Sequence, residues 1–122
     1  MTDPATLAYQ LAQQAHALNT ATDKPQVFAS VADVRDVAEG LQLTAEQMLH
    51  TLRHSSAGLR RIEEEVGVRM ADGSDAGEGA SKVLRALLNA EVGFTVARAA
   101  LREAAVPLAG MSAGASDGAE IG

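Results

Sequence analysis

Two stretches of this chain carry small or apolar residues at alternating three- and four-residue spacings, and no other feature limits its possible folds as much. Ala45, Met48, Leu52, Ser55, Leu59, Ile62 and Val66 form the first series, and Val83, Leu87, Ala90, Phe94, Ala97, Leu101, Ala104 and Leu108 form the second. A mean repeat of about 3.5 residues keeps one stripe of a helix against a neighbouring helix. A β-strand alternates its faces every second residue and holds neither series on one side. The chain is therefore expected to be all-α, with two long helices folded back on each other as an antiparallel hairpin.

Composition points the same way. Tyr9, Phe28 and Phe94 are the only aromatics, tryptophan is absent, and alanine is abundant, a palette that favours helices over strands. At 122 residues there is room for one ordinary domain, and 47% hydrophobic residues is too many for a wholly disordered chain. The absence of cysteine rules out a disulfide framework, a thiolate metal site and a cysteine nucleophile. A formal charge of −6 repels polyphosphate and weighs against nucleic acid. The excess of arginine over lysine suits a GC-rich bacterial genome. No apolar run approaches the roughly 18 residues of a membrane span, and the opening Met1-Thr-Asp-Pro lacks a signal peptide's basic start. A cytoplasmic location is expected, with no membrane contact.

Four helices are expected in a bundle over residues 1–108. The first starts at Asp3, whose carboxylate caps free amides while Pro4 takes the first helical position, and Leu7, Leu11 and Leu18 line one face. After a turn-rich connection ending at Pro25, a short second helix runs from Gln26, with Val27, Val31, Val34, Ala38 and Leu41 periodic and Gly40 as its stop. Thr44-Ala-Glu-Gln47 fits a capping box that opens the third helix. The glycine-rich segment from Gly67 to Gly79 reads as a mobile loop, and residues 109–122 as a flexible tail.

The stretch from Val37 to His54 resembles the helix-turn-helix of bacterial regulators, with Ala38, Leu41, Leu43, Thr44 and Met48 in matching roles. That resemblance implies a DNA-binding alternative in which Gln47, Thr51, Arg53 and His54 read the duplex. The overall plan is also similar to the small secreted helical hairpins of actinobacterial type VII systems, although the chain has no tryptophan for their Trp-x-Gly turn.

Chemistry-bearing constellations are sparse. Glu46, His50 and His54 recur every fourth residue, a spacing that can chelate a metal ion, but no further ligands are evident and the pattern equally makes a solvated face. No metal or other cofactor is expected. Glu63, Glu64 and Glu65 beside Arg60 and Arg61 read as surface ion pairs rather than an acid/base pair. The expectation is a non-enzymatic interaction or assembly module. Leu84, Leu88, Val92 and Val96 form an extra apolar row outside the seam, which marks the expected interface, either with a second copy of the chain or with another helical protein.

Overall fold

A computed structural model of the chain describes residues 2–111. Among them the only α-helices are α1 (Pro4–Ala21), α2 (Val31–Glu65) and α3 (Ala76–Gly110), with a single 3₁₀ turn at Pro25–Val27 and no strand. The described residues fall into two units, 2–34 and Arg35–Met111.

In the first unit Asp3 caps α1 as its sequence predicts, accepting from the amides of Ala5 at 3.1 Å and Thr6 at 3.3 Å and from the Thr6 hydroxyl at 2.6 Å. No residue of α1 is buried. Gln26 does not open a helix, because Pro25 and Gln26 belong to the 3₁₀ turn. The start of α2 is fixed instead by Ser30 and Asp33: the Asp33 carboxylate accepts from the Ala29 amide at 2.8 Å, and the Asp33 amide donates to the Ser30 carbonyl at 3.1 Å.

The expected second and third helices are one continuous helix of 35 residues. Gly40 does not stop it and Thr44 does not cap anything: the Thr44 hydroxyl donates back to the Gly40 carbonyl at 2.8 Å. A glycine inside a helix costs about 1 kcal/mol relative to alanine, which packing along the whole helix offsets. The helix ends where Val66 and Gly67 both donate to the Ile62 carbonyl, at 2.9 and 2.8 Å, and the positive φ of 91° at Gly67 turns the chain away.

The connection is shorter than the sequence suggests, because α3 begins at Ala76, capped by Asp75 through the Gly77 amide at 3.0 Å. Gly77 and Gly79 are thus helical. Met70 lies against the first turn of α3, its sulfur 2.6 Å from where a side chain at Gly79 would begin. At the other end α3 continues through Pro107 to Gly110, so Ala109 and Gly110, expected in the tail, are helical. Proline's fixed φ suits a helix, and its missing amide affects only the last turns. The remainder of the expected tail, 112–122, lies outside the described residues.

The helices α2 and α3 pack antiparallel: Arg35, Glu39 and Gln42 face Ala105 and Ala109, and midway Arg53 meets Glu91 at 3.3 Å. The stripe that faces the partner is offset from the expected one. On α2 it is Ala38, Gln42, Ala45, Leu49, Leu52, Ser56, Leu59 and Glu63; on α3 it is Ala80, Leu84, Leu87, Glu91, Phe94, Arg98, Leu101, Ala105 and Leu108, all buried or half-buried. Three of the seven in the first series and four of the eight in the second are retained, and the rest are replaced by their next neighbours except Val66, which lies beyond the end of α2. Leu49, only 1% exposed, is more buried than the half-buried Met48, Leu84 takes the place of Val83, Glu63 and Arg98 displace the exposed Ile62 and Ala97, and Glu91 is half-buried alongside Ala90. Two large leucines gain burial; of the charged side chains that join them, Glu63 and Arg98 are half-buried and Glu91, only 15% exposed, is paired with Arg53.

Candidate interaction surface

The offset of the seam leaves an apolar row beside it on each helix. On α2 this row is Leu41, Met48, Ser55 and Ile62; on α3 it is Val83, Ala90, Ala97 and Ala104. In an antiparallel pair the corresponding flanks of the two helices lie on the same side, so the rows adjoin. The next row outward is Val37, Thr44, Thr51 and Gly58 on α2, and Ala86, Gly93, Ala100 and Pro107 on α3. From Val37 to Ile62 and from Val83 to Pro107 this face holds no ionisable side chain.

Its polar atoms are also spent. Thr44, Thr51 and Ser55 donate their hydroxyls to the carbonyls of Gly40, Gln47 and Thr51, at 2.8, 3.2 and 2.8 Å. A hydroxyl bonded to its own helix can be dehydrated without stranding a donor, so the face behaves as an apolar one. Leu41, Ile62 and Val83 are nevertheless exposed, and the space above Gly58 and Gly93 is open.

The opposite flank is of another kind. There Glu39, Glu46, Arg53 and Arg60 line α2. The Arg53–Glu91 pair, at 3.3 Å, crosses between the helices, with Glu91 only 15% exposed. Other ion pairs stay within a helix, Arg61 with Glu65 at 2.7 Å and Lys82 with Glu78 at 3.6 Å.

The residues singled out from sequence divide among these surfaces. Leu84 belongs to the α2–α3 seam, whereas Leu88, Val92 and Val96 remain 56, 55 and 62% exposed. Each step of four residues turns by about 40°, so these three wind around the back of α3 rather than forming a flat face. Of the residues proposed to read DNA, Gln47, Thr51 and His54 are exposed and follow one line of α2, the Thr51 hydroxyl donating to the Gln47 carbonyl, whereas Arg53 lies on the other flank and is held by Glu91. No turn separates two helices in this segment, so the helix-turn-helix geometry is absent. Among the described residues no group of three or more His, Asp or Glu side chains is placed to hold a metal ion, Glu46, His50 and His54 included. Apolar periodicity does not reveal the uncharged face. The positions of the charges, which avoid two adjacent rows of each helix, carry the signal.

Two shallow grooves flank the hairpin's ends. One of about 320 Å³ is lined by Arg35, Glu39, Gln42, Leu43, Ala105 and Ala109, and another of about 310 Å³ lies at the loop beside Met70, Asp72, Asp75 and Glu78. Asp72 accepts from the Ser74 hydroxyl at 2.6 Å and the Ser74 amide at 3.0 Å, and the hydroxyl bond above all holds its carboxyl below the usual carboxylate range. Asp3 is held low in the same way by the Thr6 hydroxyl. Asp3 caps α1, and Asp72 caps a turn in the loop. No described helix is long and apolar enough to cross a membrane. Comparison with known proteins finds no matching family model, no matching curated protein and no matching solved structure.

Proposed function

We propose that this chain is a non-enzymatic helical assembly module that works by docking the uncharged face of its α2–α3 hairpin on another helical surface. The observation that carries this reading is the pairing of charge avoidance with internally bonded hydroxyls over the length of both helices. From Val37 to Ile62 the face runs about 38 Å, and two helices about 10 Å across make it about 20 Å wide, or about 750 Å². A monomer's largest apolar patch is about 300–600 Å², and a stable interface takes about 800 Å² from each partner. The area is that of an interface.

The reading is tested by asking whether the face is available or occupied in solution. Binding of an apolar-surface dye by isolated monomers, or a mass above that of one chain by light scattering, is expected. A monomer that melts cooperatively, binds no dye and is unaffected by Ala100→Glu would overturn it.

A further inference from the structure

We infer that the partner of the uncharged face is a second copy of this chain, seated so that α2 of each copy lies in the groove over α3 of the other. The inference rests on the assembly reading and names its partner.

The two halves of the face differ: on α2 it carries the bulky Leu41, Met48 and Ile62, whereas along most of α3 it is alanine and glycine, with Ala90, Gly93, Ala97 and Ala100 at its centre. A ridge beside a groove is complementary to itself. Turning a second hairpin by 180° about an axis parallel to the helices, within the contact plane, places each ridge over the other copy's groove. Such a two-fold contact uses the same patch on both copies, as closed dimers require. It also makes every neighbouring helix antiparallel, giving a four-helix bundle. The other in-plane axis sets ridge on ridge and groove on groove, which leaves a void between the alanine rows.

Registration follows from the antiparallel pairing. Residues at one height on α2 and α3 stay at one height after this rotation, so Met48 of one copy comes level with Ala97 of the other, and Leu41 with Ala104. Small residues let the backbones approach closely, and large ones fill the space that this leaves.

Charge favours the same arrangement. Each chain carries a formal −6, so two copies repel wherever their charges meet. The uncharged face is the one side of the hairpin on which they meet without opposing charges. A partner chosen by charge, in contrast, would be met by charged flanking rows, the usual device for pairing unlike helices.

Light scattering on the full chain tests the inference. The expected mass is twice the 12.6 kDa of one chain, and Gly93→Trp is expected to reduce it to that of one chain. The open space over Gly93 means the hairpin itself tolerates the ring, which circular dichroism would confirm by unchanged helicity. Ala97→Met is a milder second variant: it should weaken the dimer at least tenfold, and Met48→Ala in the same chain should restore it by moving the ridge across. Val92→Glu, on the other exposed row, should leave the dimer intact. A monomeric wild-type chain that binds the apolar dye would overturn the second-copy inference while leaving the assembly reading standing. A dimer broken by Val92→Glu but not by Gly93→Trp would overturn the proposed face.

Discussion

The contact between α2 and α3 holds more charge than one of the hairpin's open sides. Glu63, Glu91 and Arg98 lie along the seam with Gln42 and Ser56, whereas the neighbouring face from Val37 to Ile62 and Val83 to Pro107 holds none. Two helices packed alone bury only a narrow strip, and among the described residues only Ala45, Leu49, Ser56 and Ala80 are fully buried. Such a strip leaves Glu63 and Arg98 only half-buried and gives Glu91 the Arg53 guanidinium as a partner, so it tolerates them. A broad contact with another pair of helices would not, because a dehydrated, unpaired charge is far more costly than any packing gain. The distribution of charge therefore separates the strip that the hairpin closes from the uncharged side that it leaves open.

Truncating adjacent residues on the two surfaces is the strongest way to break this comparison. Leu49→Ala removes the one large side chain that is essentially inaccessible, and it should cost about 2–5 kcal/mol, seen as a large fall in the denaturant midpoint. Met48→Ala, one residue away on the open face, should cost well under that in dilute solution, where the face is free. If the two variants lose equal stability at every protein concentration, Met48 is covered within the hairpin and the two surfaces are not distinct.

The same pair of residues shows what could be read from sequence and what could not. Ala45, Leu52 and Leu59 belong to either choice of seam, so helix type and the pairing of the two long helices were legible, whereas the length of α2 was not. The choice between Met48 and Leu49, or Ile62 and Glu63, was not, because periodicities of three and four differ by one position and hydrophobicity alone favours the wrong one at Glu63. Gly40 and Thr44 misled for another reason. Local stop and cap signals are worth about 1 kcal/mol each, and a helix with a packing partner on both sides of them overrides both. Asp3 succeeded because nothing competes at the start of α1. The expected row of Leu84, Leu88, Val92 and Val96 is divided, since a four-residue step drifts around the helix and leaves Leu84 at the seam and the other three exposed toward the back.

Polar groups inside the seam sharpen the comparison with smaller effects. Ser56 is buried, and its hydroxyl has no hydrogen-bond partner among the described residues. Leaving a donor unsatisfied costs about 1–3 kcal/mol, so Ser56→Ala should stabilise the hairpin by about 1 kcal/mol, measured by thermal or denaturant unfolding. No gain would mean that the hydroxyl finds a partner in solution. The hydroxyls of the open face, already bonded to their own helix, should give no such gain on Thr51→Ala. A double-mutant cycle on Arg53 and Glu91 should return about 0.5 kcal/mol, because the Arg53 side chain is more than half exposed and water screens the pair. A coupling several times larger would show that this flank is covered too.

The smallest expected effect belongs to neither surface. Asp72 turns the loop before α3, and the Ser74 hydroxyl and amide hold its carboxyl below the usual value of 3.8. The sign follows from which state binds protons more readily. Above the usual value both folded and unfolded chains hold the carboxylate ionised, and the turn's contribution is fully present. As pH falls through 3.8 the unfolded chain takes up a proton while the folded one resists, so stability declines with each step, and the decline ends once pH is below the depressed folded value. Asp3 obeys the same sign at the start of α1. In an NMR titration the Ser74 amide should shift with a midpoint below 3.8, Asp72→Asn should abolish that shift, and the methyl signals of Leu49 should stay in place across it. A midpoint at or above the usual value would show that the turn does not hold in solution. Movement of the Leu49 methyls in step with Ser74 would show that the loop and the seam form one cooperative unit, and that acid acts on the hairpin as a whole.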